Sequence, residues 1–397
     1  MSLVRALSSM FVVLGLGLAG ATPAQAASTW STPVEPPSGC SSSIIAANTA
    51  GAVVTAGYVQ SGTGLEAFSV EVCTSSNGVT WTGPTVIGLG VAPAVALAPN
   101  GRAVVVWQGG PATSPNVQAS VMPPGGAWSA PVIVSNQPGH PTIGMDGAGN
   151  AIAVWSAPTQ SGPVETASLP AGGSWTAPVS LAAFSAGPDL ATNAVGGVVV
   201  GWRTGNVIEV ASGTVLGGPG APVKLGLTYG HSIHPAHAAL NSAGDASFIW
   251  ETDTSIFIST RTPGGAWAAP TQLASVPGEV GTAIDGAGNA IAAFSIDQGG
   301  AVPTYASRRS AGGTWGAPTL VSASSDKGLG NVAGDAAGTF VIAWTSSAGA
   351  VEALTIPPGG SFGPGTVVGA GPFSALLVLP GEAVLSIGAG LSKETVQ

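Results

Sequence analysis

Charge is scarce in this 397-residue chain: only 7% of its residues are Asp, Glu, Lys or Arg. Nine Lys and Arg against 18 Asp and Glu leave a net charge of −9. So few cations cannot neutralise a row of phosphates, which argues against nucleic acid as a partner. Attraction to anionic membrane surfaces is weak for the same reason. Beyond the first twenty or so residues there is no unbroken apolar run of the roughly twenty needed to span a bilayer, and no anchoring signal in the tail, so no membrane insertion is expected. Also missing are a phosphate-cradling loop, a Cys-x-x-Cys pair and a Gly-x-Ser-x-Gly elbow in a suitable context, so no cofactor is expected. Cysteine is reduced to Cys40 and Cys73.

Residues 1–26 read as a signal peptide. Arg5 supplies the positive start, Met10 to Gly20 the apolar stretch, and Ala24-Gln25-Ala26 the small-residue cleavage pattern. The expectation is a secreted, extracellular single domain over residues 27–397. Two cysteines suit such an oxidising compartment. A Cys40–Cys73 bridge would close a loop of about 33 residues and stabilise by about 3–4 kcal/mol on the chain-entropy argument. The topology developed below sets the two near opposite ends of non-adjacent strands, so their pairing stays open at this stage. With 61 Gly and 32 Pro beside 45% hydrophobic residues, the Gly and Pro read as punctuation between short strands of a packed core.

Two short patterns alternate along the chain. The first is an aromatic residue followed by Pro and a β-branched run, at Trp30, Trp81, Trp128, Trp175, Trp267 and Trp315, with weaker copies at Phe362 and near Gly220. Its spacing is near 47 residues. The second is Asp or Asn, two small residues, Gly, then an apolar strand. Good copies start at Asp146, Asn193, Asn241, Asp285 and Asp335. Six residues after the glycines come Trp107, Trp155, Trp202, Trp250, Phe294 and Trp344. Together the two positions absorb all eleven tryptophans, which predicts structural roles for them as fillers between packed sheets.

A period of 40 to 50 residues holding four short β segments is the signature of propeller blades. In one unit, strand A is predicted over Pro141–Met145, B over Ala151–Trp155, C over Val164–Leu169 and D over Trp175–Leu181. Asp146-Gly-Ala-Gly makes the A–B turn, with Asp bonding its own turn backbone and Gly supplying positive φ. The fold expected is all-β, a β-propeller of about eight four-stranded blades, with seven as the runner-up. The N-terminal strand, Trp30–Val34, would close it by completing the last blade.

The segment Thr74-Ser-Ser-Asn-Gly-Val-Thr-Trp81 resembles the Asp-box (BNR) repeat of sialidase-like propellers, with Ser76 where that box has its central Asp. Other copies keep only Gly-x-Trp, as in Gly126-Ala-Trp128. The resemblance implies the fold, because such boxes are folding elements remote from the active site. A sialidase site would need an arginine triad and a Tyr–Glu pair. Arg102 and Arg203 fall at opposite ends of their blades and cannot share a pocket, so the catalytic residues of that family have no counterpart.

The D–A and B–C connections share one face and are irregular, whereas the A–B and C–D turns on the other are short and alike. Function is expected on the variable face. Its candidate ligand-binding residues are Tyr229, His231, His234, His237, His140, Asp297 and Asp326. Zinc would need three or four ligands at one point, and His231 and His237 lie about 20 Å apart in an extended segment, so no metal site is assigned. A monomeric extracellular binding or scaffold module for a protein or a glycan is read ahead of catalysis. A sialidase-like glycosidase and a lectin are the alternatives.

Overall fold

The computed structural model describes residues 44–395 apart from residues 61, 63–66, 158–161, 228–235, 324–327, 371–372, 380–381 and 388–389. Among these residues the regular structure is strand throughout, every pairing is antiparallel, and all join consecutive strands except that Val207–Thr214 pairs with Val223–Leu227 as well as with the short Gly218–Pro219 between them. The third unit shows the pattern: His140–Met145 pairs with Ala151–Ser156, which pairs with Gly162–Leu169, which pairs with the start of Val179–Thr192. The predicted A, B and C strands are therefore present with an added residue or two at their ends. Strand D differs. It begins at Val179 rather than Trp175, and it does not stop. The same fourteen-residue strand pairs through its second half with Gly197–Thr204 and so becomes strand A of the fourth unit. A register shift between Ala186 and Asp189 marks the crossing.

Two four-stranded units are thus fused into one eight-stranded sheet, and five further sheets are separate and four-stranded. Before the fused pair come the first unit (Ile44–Ala47 to Trp81–Leu89) and the second (Val91–Leu97 to Val132–Ser135). After it come the fifth (His237–Leu240, Ala246–Thr252, Ser255–Arg261, Thr271–Ala274), the sixth (Val280–Ile284 to Thr319–Leu320) and the seventh (Gly328–Gly334 to Thr366–Ala370). The last sheet has three strands, Phe373–Leu379, Glu382–Ile387 and Gly390–Thr395. Each first strand lies beside the first strand of the next unit, and Phe373–Leu379 lies beside Ile44–Ala47.

The B strands are buried on both faces, since each sheet is sandwiched between neighbours: every residue of Ala103–Gly109, Ala151–Ser156 and Ala290–Ser295 is buried. Seven apolar clusters result, one at each junction between consecutive units. The period-2 alternation of a strand fixes which junction a side chain serves. Trp155, for example, packs back onto Val104, Val106 and Val117 of the second unit, while Ile152 and Val154 pack forward onto Val198 and Val200 of the fourth. The B-strand tryptophans are at most 1% exposed, which confirms their structural reading. Trp128, Trp175, Trp267 and Trp315 of the C–D turns are half-buried and cover the rim of the same clusters.

The A–B turns form as expected. Asp146 Oδ1 accepts the N–H of Ala148 and of Asn150, and Gly149 has a φ of 86°. The same ends are also joined from unit to unit. Asn48, Asn193 and Asn241 donate from Nδ2 to the carbonyls of Ala98, Asn241 and Asp285. Where Asp replaces Asn, the following glycine substitutes: Gly147 N–H reaches the Ala194 carbonyl, and Gly286 N–H that of Ala336. Arg102 serves the remaining early junction through the Gly149 carbonyl.

Candidate functional site

At the opposite ends of the same strands no such uniform set of staples is found among the described residues, and the connections differ from one unit to the next. Of the residues predicted for this face, Tyr229, His231, His234 and Asp326 lie outside the described residues. His237 opens strand A of the fifth unit, paired with Ile249, and His140 opens strand A of the third, paired with Ser156. They stand at corresponding ends of first strands two units apart. His140 is exposed, but packing around its ring removes enough water to lower its pKa. Asp297 is exposed and spends Oδ1 on the N–H groups of Gly299 and Gly300, shaping its own loop. Asp189 lies within strand A of the fourth unit, where Oδ2 accepts the N–H of Ala238 across the junction with the fifth. No group of three His, Cys, Asp or Glu side chains placed to hold a metal occurs among the described residues. Cys73 is disulfide-bonded, and the only other cysteine, Cys40, lies outside the described residues.

Two features of this face were missed. The first is a group of carboxylates between the fifth and sixth units. Glu251, buried near the end of its B strand, accepts the N–H of Gly278 at 3.1 Å. Burial, more than the nearby charges of Asp253 and Glu279, pushes its pKa up to about 7. Burial also raises Glu279, against a hydrogen bond from the Leu329 N–H.

The second is a cavity of about 310 Å³ at the junction of the fourth and fifth units, lined by Gly226, Leu227, Trp250, Thr252, Phe257 and Pro270, with Thr254 and Ser255 at the B–C turn. Strand alternation puts it on the other side of the sheet from Glu251. Its origin lies in strand C. That strand carries Gln or Glu opposite the B-strand tryptophan in several units, and in the third and fourth the carboxylate accepts a hydrogen bond from the indole: Trp155 Nε1 donates to Glu165 and Trp202 Nε1 to Glu209. In the fifth unit the position is Phe257, which stacks on Trp250 with ring centroids 5.8 Å apart. The Trp250 indole N–H is then buried without an acceptor, a deficit of about 1–3 kcal/mol. The signal was present in the sequence as the C-strand series Gln118, Glu165, Glu209, Phe257, Tyr305, Glu352, where the repeat changes from polar to aromatic.

No known protein family matches the chain, and no curated protein does. Solved structures do. The chain is similar to BamB from Moraxella catarrhalis, with 12% identity over 93% of this chain and 100% of that one and a TM-score of 0.58. It is similar to YCF48 bound to D1 peptide, with 14% identity over 94% and 97% and a TM-score of 0.53. A polysaccharide lyase, ulvan lyase, aligns at 11% identity over 87% and 90% with a TM-score of 0.51. The fold they share with this chain is the β-propeller. At such identities the likeness is one of fold alone.

Proposed function

We propose that this chain is a secreted, non-catalytic β-propeller of eight blades that binds a protein or glycan outside the cell through the face of its D–A and B–C connections. The observation that carries the reading is the contrast between its two ends. The A–B turns repeat and are stapled across six successive junctions, whereas the other end varies from blade to blade and holds a cavity and displaced carboxylates. Rigid scaffold with variable loops is the usual division between structure and binding. Closure of the ring is supported by the placement of Phe373–Leu379 beside Ile44–Ala47 and by the missing fourth strand of the last sheet, which Trp30–Val34 would supply. Export is supported by the character of residues 1–26 and by the bonded state of Cys73, with Cys40 as its partner.

The Asp-box likeness supports the fold only. YCF48, of the same fold, was solved with a peptide and ulvan lyase acts on a polysaccharide, so the fold itself selects neither role. One observation favours a second reading: Glu251, able to hold a proton near neutral pH beside Asp253 and Glu279, has the makings of a general acid in a glycan-active enzyme. Its burial and its bond to the Gly278 N–H weigh for a structural role. The test is retention of the mature protein on panels of immobilised glycans and exported proteins. Thr254→Arg on the variable face is compared with Val195→Arg on the turn face, both positions being exposed. Retention lost only with Thr254→Arg, and no product released, is the expected result. Loss with Val195→Arg alone, or release of shortened glycans, overturns it.

A further inference from the structure

Seven apolar clusters serve the seven junctions from the first unit to the last sheet. Among the described residues none is found at the seam where the ring closes, between the last sheet and the first unit. The repeat accounts for part of this. The aromatic six residues after each turn glycine packs back onto the preceding unit, as Trp107 and Trp155 do. In the first unit that place, six residues after Gly51, is Gly57, so Glu71 across the pair faces a glycine and not an indole. The first strands of the last sheet and the first unit also meet over the shortest stretch of any consecutive pair among the described residues. What the first unit turns to the seam instead is sulfur. Val54, Ala56, Val70 and Val72 face the second unit, so alternation turns Thr55, Gly57, Glu71 and Cys73 the other way. Cys73 is 2% exposed and disulfide-bonded, and the chain has one other cysteine, Cys40. The outer strand makes room for the bond: a register shift between Val72 and Thr74 sets Gly83 beside Cys73. A Cβ built on Gly83 would lie 3.0 Å from the sulfur and 2.8 Å from the Val72 carbonyl oxygen.

We infer that the Cys40–Cys73 disulfide is the bolt of this seam: it pins the chain preceding Ile44 against the first blade, so that the ring closes fully only where thiols are oxidised. This rests on the ring closure proposed above and names what holds it. Ile45, Thr55 and Cys73 stand in one row across strands A, B and C. At about 4.8 Å per strand, about 10 Å separates the first strand from Cys73. Cys40 comes five residues before Ile45, and such a segment reaches about 17 Å, enough to return across the seam-facing side of the blade to strand C. The occupant of that side is therefore the segment 35–43, which links Trp30–Val34 to strand A. Without the bond, strand A is a four-residue strand, Ile44–Ala47, paired with one neighbour. It is then free to leave together with the closing strand as one arm, hinged at Asn48, whose amide is stapled to the second unit through the Ala98 carbonyl. With the bond, the loop through strands A to C is covalently shut and the arm stays docked. The chemistry is ordinary exchange: a dithiol reductant passes two electrons and two protons to the S–S bond, giving two cysteine thiols and its own disulfide. Reductants of that class inside the cell keep the arm unbolted, and closure follows export.

The repeat supplies a variant that keeps strand C intact, since Ala stands in the place of Cys73 in the third and fourth units as Ala167 and Ala211. Peptide mapping of the mature chain without reductant should return one pair of peptides joined through Cys40 and Cys73. Hydrogen exchange is then compared in the oxidised mature chain, in Cys40→Ala, in Cys73→Ala, and in the mature chain refolded and kept in dithiothreitol. In the three forms without the bond, amides of Ile44–Ala47 and Phe373–Leu379 should exchange faster by about tenfold or more, while those of Val280–Ile284 in the sixth unit are unchanged. Unpaired cysteines in the exported protein, or seam amides as slow without the bond as with it, overturn the inference. So does equal acceleration in Val280–Ile284, because the bond would then steady the whole fold and not the seam. A chain lacking residues 27–36 separates the bolt from the closure. If its Phe373–Leu379 amides are as slow as those of the full mature chain, while Cys73→Ala still releases Ile44–Ala47, closure by Trp30–Val34 fails and the bolt on strand A stands.

Discussion

The third and fifth blades are built from the same four strands and bury the same tryptophan, yet they meet its polar needs in different ways. In the third, Glu165 accepts the Trp155 indole N–H and the A–B turn is an Asp turn closed by Asn150. In the fifth, Phe257 stacks on Trp250, the N–H is unmet, and Asn241 extends its amide to the next blade. Apolar packing tolerates such exchanges, because any large ring in that place fills the junction, as Phe294 does in the sixth blade. Hydrogen bonding does not tolerate them, because a buried donor has no substitute for its acceptor. A repeat protein can therefore keep its core while changing one polar partner.

The last sheet offers the largest contrast with both, having three strands among the described residues where they have four. Deleting residues 27–36 is expected to lower stability by several kcal/mol, since a whole strand's apolar burial would be lost and an edge exposed. Thermal unfolding of the truncated chain checks this, and a melt like that of the full-length mature protein would refute the closure. Next in size are the tryptophans. Trp155→Ala should cost about 3–5 kcal/mol, and Trp250→Ala about 1–2 kcal/mol less, because it removes a donor that is already unmet beside an existing void. Equal losses in urea unfolding would erase the distinction between the blades.

Much of this architecture was legible from spacing alone, because the two patterns mark positions that geometry dictates. In the second to seventh units the Gly of the A–B turn takes positive φ, and the aromatic six residues later fills a junction. The fusion of the third and fourth units was not legible. Ala186-Gly-Pro-Asp189 carries the residues of a loop, and only the register shift at that point shows the strand passing through it. Of the residues expected at the site, Asp297 serves its own loop, and Tyr229, His231 and His234 fall in the segment 228–235, outside the described residues. The cavity was half legible: the change from Glu to Phe257 on strand C stands in the sequence, whereas the D strand lying less than an ångström further from the indole is a distance that no residue pattern encodes.

The carboxylates on the other side of the fifth blade give a pH signature. Glu251 is held near a pKa of about 7, above the value it would have unfolded, so between about pH 4.5 and 7 the folded protein keeps a proton that the unfolded chain has lost. Stability should fall as pH rises through that window, by about 1–3 kcal/mol in all, and stay low above it. Glu251→Gln keeps an acceptor for the Gly278 N–H and should flatten the slope. Parallel slopes for mutant and wild type in melts from pH 4.5 to 8 would show that Glu251 is not the group responsible.

The smallest expected effect is the most discriminating. If Asp146 and Asn241 were only turn-formers they would be interchangeable, since either side chain offers the oxygen the turn needs. Their surroundings say otherwise. Asn241 Nδ2 donates to the buried Asp285 carbonyl and to Asp245 Oδ2 in its own turn, and Asn241→Asp replaces that donor with an oxygen facing both. In the third blade Asp146 Oδ2 accepts from Asn150 Nδ2, and Asn150 cannot turn over because its Oδ1 already accepts the Ala171 N–H. Asp146→Asn therefore sets an amide against an amide, while the staple to the fourth blade, made by the Gly147 N–H, is untouched. Each exchange should cost about 1 kcal/mol, in the fifth blade through the junction with the sixth and in the third within its own turn. Hydrogen exchange separates the two: Asn241→Asp should loosen amides on both sides of the junction between the fifth and sixth blades, and Asp146→Asn only those of residues 146–150 and the neighbouring C–D turn. Neutral exchanges at both positions would reduce these residues to turn-formers and leave the stapling of the blades to their apolar faces.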